Sequence, residues 1–272
     1  MKYVKGFLMA WGTFTSIPCP CVRWQEEYRG PMLNMLPVIG TLLGVLCLLV
    51  WALLDLAGAD SFFTALLITA LYFGMTGFIH LDGFMDCSDA ILSRRPTLEE
   101  RRRILKDSHV GAFAVIALVF MVMLFAGAMT VITQHFTMQR GALLLIILTA
   151  SREFAAYDVI HKKPMMTSQY HGAVYQDPQE TGLVGIIATA VVSVVLYGLF
   201  VFDRAAAFSV YNLLTLFYTI VLLALMRTVT GWCGKTARTQ LGGMSGDISG
   251  CMIVLGELTG VVFTALMTGF FL

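Results

Sequence analysis

Long runs of apolar residues constrain this chain more than any other feature. They occur at 35–57, 61–80, 110–133, 182–202, 206–226 and 250–271. A seventh run, 141–160, begins Gly-Ala-Leu-Leu-Leu-Ile-Ile-Leu-Thr-Ala and turns polar at Ser151-Arg152-Glu153. A helix crosses a hydrocarbon core roughly 30 Å thick with about 20 apolar residues, so each run is long enough to span. Only 13% of the residues are charged. A soluble domain carries about a quarter, so the apolar excess points to a bilayer. The expected fold is an all-α polytopic integral membrane protein with about seven transmembrane helices. One membrane-embedded domain absorbs residues 1–272, since no linker separates a second. Residues 1–30 open with two lysines and an apolar stretch too short to span, and no small-residue cleavage site follows. An interfacial segment fits them better than a signal peptide.

Lysine and arginine orient the spans. With the N-terminus inside, every basic residue except Arg140 and Arg204 falls on the inner side, and such a bias sets topology. The inner connections 81–109, 161–181 and 227–249 are long and polar, whereas the outer ones at 58–60, 134–140 and 203–205 are short. Long cytoplasmic loops are therefore expected to form the site. The six cysteines include no C-x-x-C pair, and small apolar residues in a reducing compartment describe them best.

The most informative stretch is Gly77-Phe-Ile-His80-Leu-Asp82-Gly-Phe-Met-Asp86-Cys-Ser-Asp89. On a helix, Asp82, Asp86 and Asp89 share about 60° of arc. Two carboxylates about 6 Å apart repel by roughly 3 kcal/mol at an effective dielectric near 20. A hard divalent cation relieves that repulsion. Oxygen ligands at this spacing suit Mg²⁺, which retains waters and meets substrate phosphates. The plainer alternative is a solvated acidic helix end, neutralised by the arginines that follow. The trio directly continues an apolar span, where acids are expensive and tend to be functional, and this favours the cation. His80 lies about 160° from Asp82 on the same helix and suits a structural or substrate contact better than metal ligation.

Other inner segments offer groups of two readings each. Arg101–Arg103 are a topology determinant or a headgroup contact. Lys106-Asp107-Ser108-His109 precede the third span, where Asp or Ser can cap and free N–H groups favour anions. Capping does not explain Lys106. Ser151 and Arg152 form either a hydrogen-bonded boundary or a phosphate clamp. Gln169-Tyr170-His171-Gly172 is a substrate loop or a polar turn. Gly234-Lys235-Thr236 resembles the end of a P-loop, but the first glycine of that motif would fall at Val229, and an apolar helix precedes it. Lys235 and Arg238 remain as a basic loop facing phosphates. Ser245 and Asp247, in a glycine-rich turn that opens the last span, can cap or bind. Glu257 is the one acid clearly inside the bilayer, and a buried partner explains it better than a proton path.

Taken together these motifs resemble the cobalamin synthase (adenosylcobinamide-GDP ribazoletransferase) family. That family carries G-G-x-H-L-D-G-L-A-D-x-x-D-G, then M-K-D-S-R-x-G-x-F-G, then G-G-x-T-G-D-x-x-G. Here the matching stretches are 77–90, 105–114 and 242–250, and Phe14-Thr-Ser-Ile-Pro18-Cys-Pro20 resembles its N-terminal F-x-T-R-I-P-x-P. The order is kept over nearly the whole chain. Ser16 stands for the usual Arg, Ala90 for Gly and His109 for Arg. The resemblance implies a Mg²⁺-dependent phosphotransferase of the bacterial inner membrane, with its active site facing the cytoplasm. A ribose hydroxyl of α-ribazole, or of its 5′-phosphate, attacks the corrinoid-linked phosphate of adenosylcobinamide-GDP, and GMP leaves. On this reading Asp82, Asp86 and Asp89 hold Mg²⁺, and one of them, or Asp107, takes the hydroxyl proton. Lys106, Ser108, His109, Ser151, Arg152, Lys235 and Arg238 meet phosphates, while His80, Ser245 and Asp247 shape substrate pockets. The expected partners are these small molecules and the lipid bilayer. No nucleic acid is expected, and a homo-oligomer or a complex with corrinoid enzymes stays open.

Two rival readings carry less. A CDP-alcohol phosphotransferase would show D-x-x-D-G-x-x-A-R followed by G-x-x-x-D-x-x-x-D, and this chain lacks that pattern. A transporter would place ionisable groups near the bilayer midplane at a repeat interface, and only Glu257 qualifies.

Overall fold

The computed structural model describes residues 2–19, 24–166 and 210–271. The expected span at 182–202, the start of the run at 206–226, Gln169–Gly172, Pro20, Cys21, Arg23 and Arg204 lie outside the described residues. Among the described residues the chain forms ten α-helices and no named strand.

Helix α1 (Lys2–Phe14) is amphipathic and buries Gly6, Met9, Ala10 and Phe14 along one stripe. Helix α2 (Arg29–Asn34) packs beside it so closely that a Cβ on Gly6 would stand 2.7 Å from the Pro31 side chain. Helix α3 (Leu36–Leu56) runs along α8 (Met138–His161), with Gly40 and Gly44 at their contact. A Cβ on Gly40 would come within 2.5 Å of the Leu148 carbonyl oxygen. Small residues one turn apart let apolar helices approach this far. From Arg140 to Ile160, α8 is buried at every position except Phe154 and Tyr157, so it forms the axis of the bundle.

Among the described residues four helices are long and apolar enough to cross a membrane: α3, α7 (Ala112–Ile132), α9 (Val210–Leu241, over 213–241) and α10 (Gly246–Phe271, over 246–268). Helices α4 (Ser61–Met75) and α5 (Ile79–Leu92) pass that test only jointly and are bent by 88°. The outer face of α7 exposes Phe113, Ile116, Phe120, Met123 and Leu124. An apolar surface this continuous is a lipid-facing one, and the protein is a multi-pass membrane protein.

Two expectations about the chain path change. The aspartate trio does not continue the second span. After α4 the backbone turns through Gly77 (φ 59°) and Phe78 (φ 60°), and α5 sets off nearly at right angles. A left-handed phenylalanine is costly, so the break needs outside support. Ser16 supplies part of it, because its Oγ–H donates to the Gly74 carbonyl at 2.7 Å and its N–H to Met75 at 2.8 Å. The segment 227–249 is likewise no long loop. It is helical through Leu241, and α9, with 32 residues, is about 48 Å long, well beyond a hydrocarbon core. Lys235 and Arg238 therefore sit on a helix.

One end of the bundle gathers α1, α5, helix α6 (Leu98–Leu105), the ends of α8 and α9, and the start of α10. Pro164 pairs with Met244 there. Arg102 of α6 donates to the carbonyls of Leu241 at 2.8 Å and Gly242 at 3.2 Å, closing the C-terminus of α9. The described cysteines are free thiols, and all but Cys19 are buried.

Candidate functional site

Helix α5 has 14 residues and three aspartates, and its direction departs from α4, so it lies across this end of the bundle and does not itself cross. It crosses α10 at two glycines. A Cβ on Gly83 would stand 2.7 Å from the Asp247 carbonyl oxygen, and one on Gly250 would stand 3.1 Å from that of His80. This approach sets Asp247, from the first turn of α10, beside the acids of α5.

The three aspartates of α5 then differ in their surroundings. Asp82 is exposed and Asp86 is half-buried. Burial, reinforced by the charges of Asp82, Asp247 and Asp89, pushes the Asp86 carboxyl up to about 6. Asp89 is 8% exposed, and both of its oxygens are engaged. Oδ2 accepts from Gly111 N–H at 2.7 Å and Oδ1 from Ala114 N–H at 2.9 Å. The expected acid face is thus re-formed: Asp247 joins Asp82 and Asp86, while Asp89 turns to the start of α7. Ser245 holds Asp247 in place: its Oγ–H donates to Asp247 Oδ2 at 3.3 Å, and its Oγ accepts from Ile248 N–H at 3.3 Å.

Lys106, Asp107, Ser108 and His109 lie in an exposed segment between α6 and α7. The cap at the start of α7 comes from Asp89, and Asp107 instead accepts from its neighbour, with Oδ1 3.0 Å from His109 N and 2.7 Å from Nδ1. That contact holds the Asp107 carboxyl below the usual range. His80 is buried, its ring 6.1 Å from that of Phe14, and its Nε2 has no hydrogen-bond partner among the described residues.

Ser151 and Arg152 do not reach this site. Both are fully buried within the bundle, and Arg152 Nη1 meets Glu257 Oε1 at 2.5 Å while Nη2 donates to the Tyr72 hydroxyl at 2.7 Å. Ser151 Oγ–H also donates to Glu257, at 3.0 Å. A phosphate has no access to this guanidinium, so the clamp expectation gives way to the structural one, and Glu257 has the buried partner expected of it. Arg238 is held in the same manner, with Nη1 2.6 Å from Asp158 Oδ2. Arg227 meets the other oxygen of Asp158 at 3.1 Å. Lys235 is exposed on α9. Sequence reading missed the role of Arg102, the pairing of Asp158, and the membership of Asp247 in the acid group. The glycines at 83 and 250 were the one available sign of a close crossing.

The fold and site define a class: a multi-pass helical membrane protein with acids gathered at one end of its bundle. Comparison makes it specific. Residues 6–265 match the profile of the cobalamin-5-phosphate synthase family, and the chain belongs to that family. It is similar to an adenosylcobinamide-GDP ribazoletransferase of Clostridium perfringens, 33% identical over 266 residues, covering 97% of this chain and 99% of the relative. A protein of the same description from Clostridium botulinum is 30% identical over 264 residues, covering 97% and 98%. One from Lachnoclostridium phytofermentans is 27% identical over 258 residues, covering 95% and 92%. No solved structure matches.

Proposed function

We propose that this protein is an adenosylcobinamide-GDP ribazoletransferase, joining α-ribazole or its 5′-phosphate to the cobinamide phosphate and releasing GMP. The observation that carries the reading is the meeting of Asp82 and Asp86 with Asp247 at the α5–α10 crossing. Among the described residues no three His, Cys, Asp or Glu side chains form a metal cage. Mg²⁺ needs only one or two carboxylates and completes its shell with waters and substrate phosphates. Burial is the first cause that raises Asp86, and the charges of Asp82, Asp247 and Asp89 add to it; a cation would relieve that second part. Asp82 and Asp86, with Asp247 beside them, would hold it. When bound, Mg²⁺ neutralises charge on the diphosphate.

The chain's own residues do the rest. The hydroxyl proton goes to an acid of α5 in preference to Asp107, whose carboxylate is tied to His109 and is the weaker base. Lys106 and Ser108 are exposed and face phosphates, His109 is exposed with its Nδ1 engaged by Asp107, and Lys235 is an exposed base of α9. Ser245 fixes Asp247, and the turn at Gly242–Gly243, both at positive φ, packs against Arg102 and Met165. The basic residues of this end, Arg94, Arg95, Arg101, Arg103 and Lys106 among them, turn it toward the cytoplasm of the bacterial inner membrane by the positive-inside rule.

Purified protein given adenosylcobinamide-GDP and α-ribazole 5′-phosphate is expected to release GMP in a Mg²⁺-dependent manner, with the product corrinoid appearing in step. Folded protein that releases no GMP over a range of Mg²⁺ concentrations would defeat the reading. A transporter is disfavoured because Glu257, the midplane acid, already meets Arg152, Tyr72 and Ser151.

A further inference from the structure

The third aspartate of α5 is built unlike the other two. Asp89 is buried, and its two oxygens receive the N–H groups of Gly111 and Ala114, the N-cap and third positions of α7. A helix normally draws such bonds from its own N-cap side chain, but here that residue is glycine and the carboxylate arrives from another helix. The positive end of α7 favours the negative charge, and two short charge-assisted bonds offset its burial. Gly111 is required by the same contact, since a Cβ there would lie 2.5 to 2.7 Å from all three atoms of the carboxylate group.

The clamp has a cargo. Lys106 to Val110 are exposed, and the bonds that tie the segment to other helices among the described residues stand at its two ends. At one end Arg102 ties α6 to the carbonyls of Leu241 and Gly242; at the other Asp89 ties Gly111 to α5. Asp89 follows Asp86 by three residues on the same helix face, so the anchor and the acid site move as one rigid piece.

We propose that Asp89 is a positioning residue: through Gly111 it sets the Lys106–His109 segment at a fixed distance from Asp82 and Asp86, and so governs binding of the diphosphate substrate without contacting the cation. This inference rests on the reaction proposed above. Steady-state GMP release tests it in Asp89→Asn, Lys106→Ala and the double variant, with Mg²⁺ titrated for each. Asp89→Asn is expected to raise KM for adenosylcobinamide-GDP about tenfold, the scale on which supporting residues act, with kcat and the half-activating Mg²⁺ concentration unmoved. In the Lys106→Ala background the same change is expected to add much less, because both act on one segment. Hydrogen exchange at 106–114 should quicken in Asp89→Asn. Gly111→Ala, which crowds the clamp while keeping Asp89, should reproduce the KM effect, and it serves if Asp89→Asn does not fold. A shifted Mg²⁺ requirement in Asp89→Asn would make Asp89 a ligand and overturn the proposal. So would an undiminished effect in the Lys106→Ala background, or a KM unchanged by Lys106→Ala while Asp82→Asn abolishes turnover. Full turnover in both Asp82→Asn and Asp86→Asn would instead strike the acid site on which the reaction reading stands.

Discussion

Glu257 and Asp86 are both acids set among packed helices, yet Glu257 is ringed by donors and Asp86 by other acids. Arg152, Tyr72 and Ser151 all reach one oxygen of Glu257, and Asp158 receives Arg227 and Arg238 in the same spirit. Around Asp86 the charged neighbours are Asp82, Asp247 and Asp89. An ion pair buried in this way holds helices together and lies out of a ligand's reach. A cluster of like charges does the opposite: it costs stability and leaves carboxylate oxygens without a paired cation from the protein. The contrast separates scaffold from site more cleanly than sequence position does, because Arg152 and Lys106 read alike as phosphate contacts until burial is known.

The sharpest way to break the contrast is to remove half of a buried pair. Arg152→Met or Glu257→Leu alone should destabilise the protein by about 3–5 kcal/mol, since an uncompensated charge is left inside, and the double variant should recover most of it. Thermal unfolding in detergent measures this; single variants as stable as the parent would deny the network its structural role. Next in size, Asp86→Asn should lower kcat by a factor on the order of 10²–10³, the scale for losing one preorganised electrostatic group. Its unfolding temperature should hold or rise, because a repelling charge has gone. A large fall in stability with turnover kept would reverse the assignment of this region. Arg238→Gln should cost about 1.5–3 kcal/mol of stability, the worth of a hydrogen bond between charged groups, with KM little changed. A raised KM at unchanged stability would return Arg238 to the phosphates. The smallest effect belongs to Thr97→Ala. Thr97 and Glu100 form a capping box at the start of α6, and its loss should cost about 1 kcal/mol with GMP release unaltered.

Much of the architecture was legible beforehand. The runs at 35–57, 110–133 and 250–271 become α3, α7 and α10 nearly residue for residue, and the amphipathic start becomes α1. The 88° break between α4 and α5 was not legible, because its support comes from Ser16, a residue remote in the chain that donates to carbonyls freed at the end of α4. Nor was the extension of α9 through Leu241, where polar residues that suggest a loop continue a helix packed on α10 and capped by Arg102. Within the site, the helical spacing of Asp82, Asp86 and Asp89 was read correctly as one face of α5. It could not tell that α7 begins against the last of them.

Sequence alone determined that these helices need lipid, where the basic residues cluster along the chain, and that three acids share one helix face. Apolar run length, charge bias and periodicity are properties of single segments, so they can be read from a string. Which acids meet, and which charges are silenced, was decided by packing. Gly83 and Gly250 bring α5 against α10, Asp247 arrives beside Asp86, and Arg152 closes on Glu257 deep inside the bundle. Such meetings depend on how closely two surfaces fit, and no one-dimensional pattern records that distance.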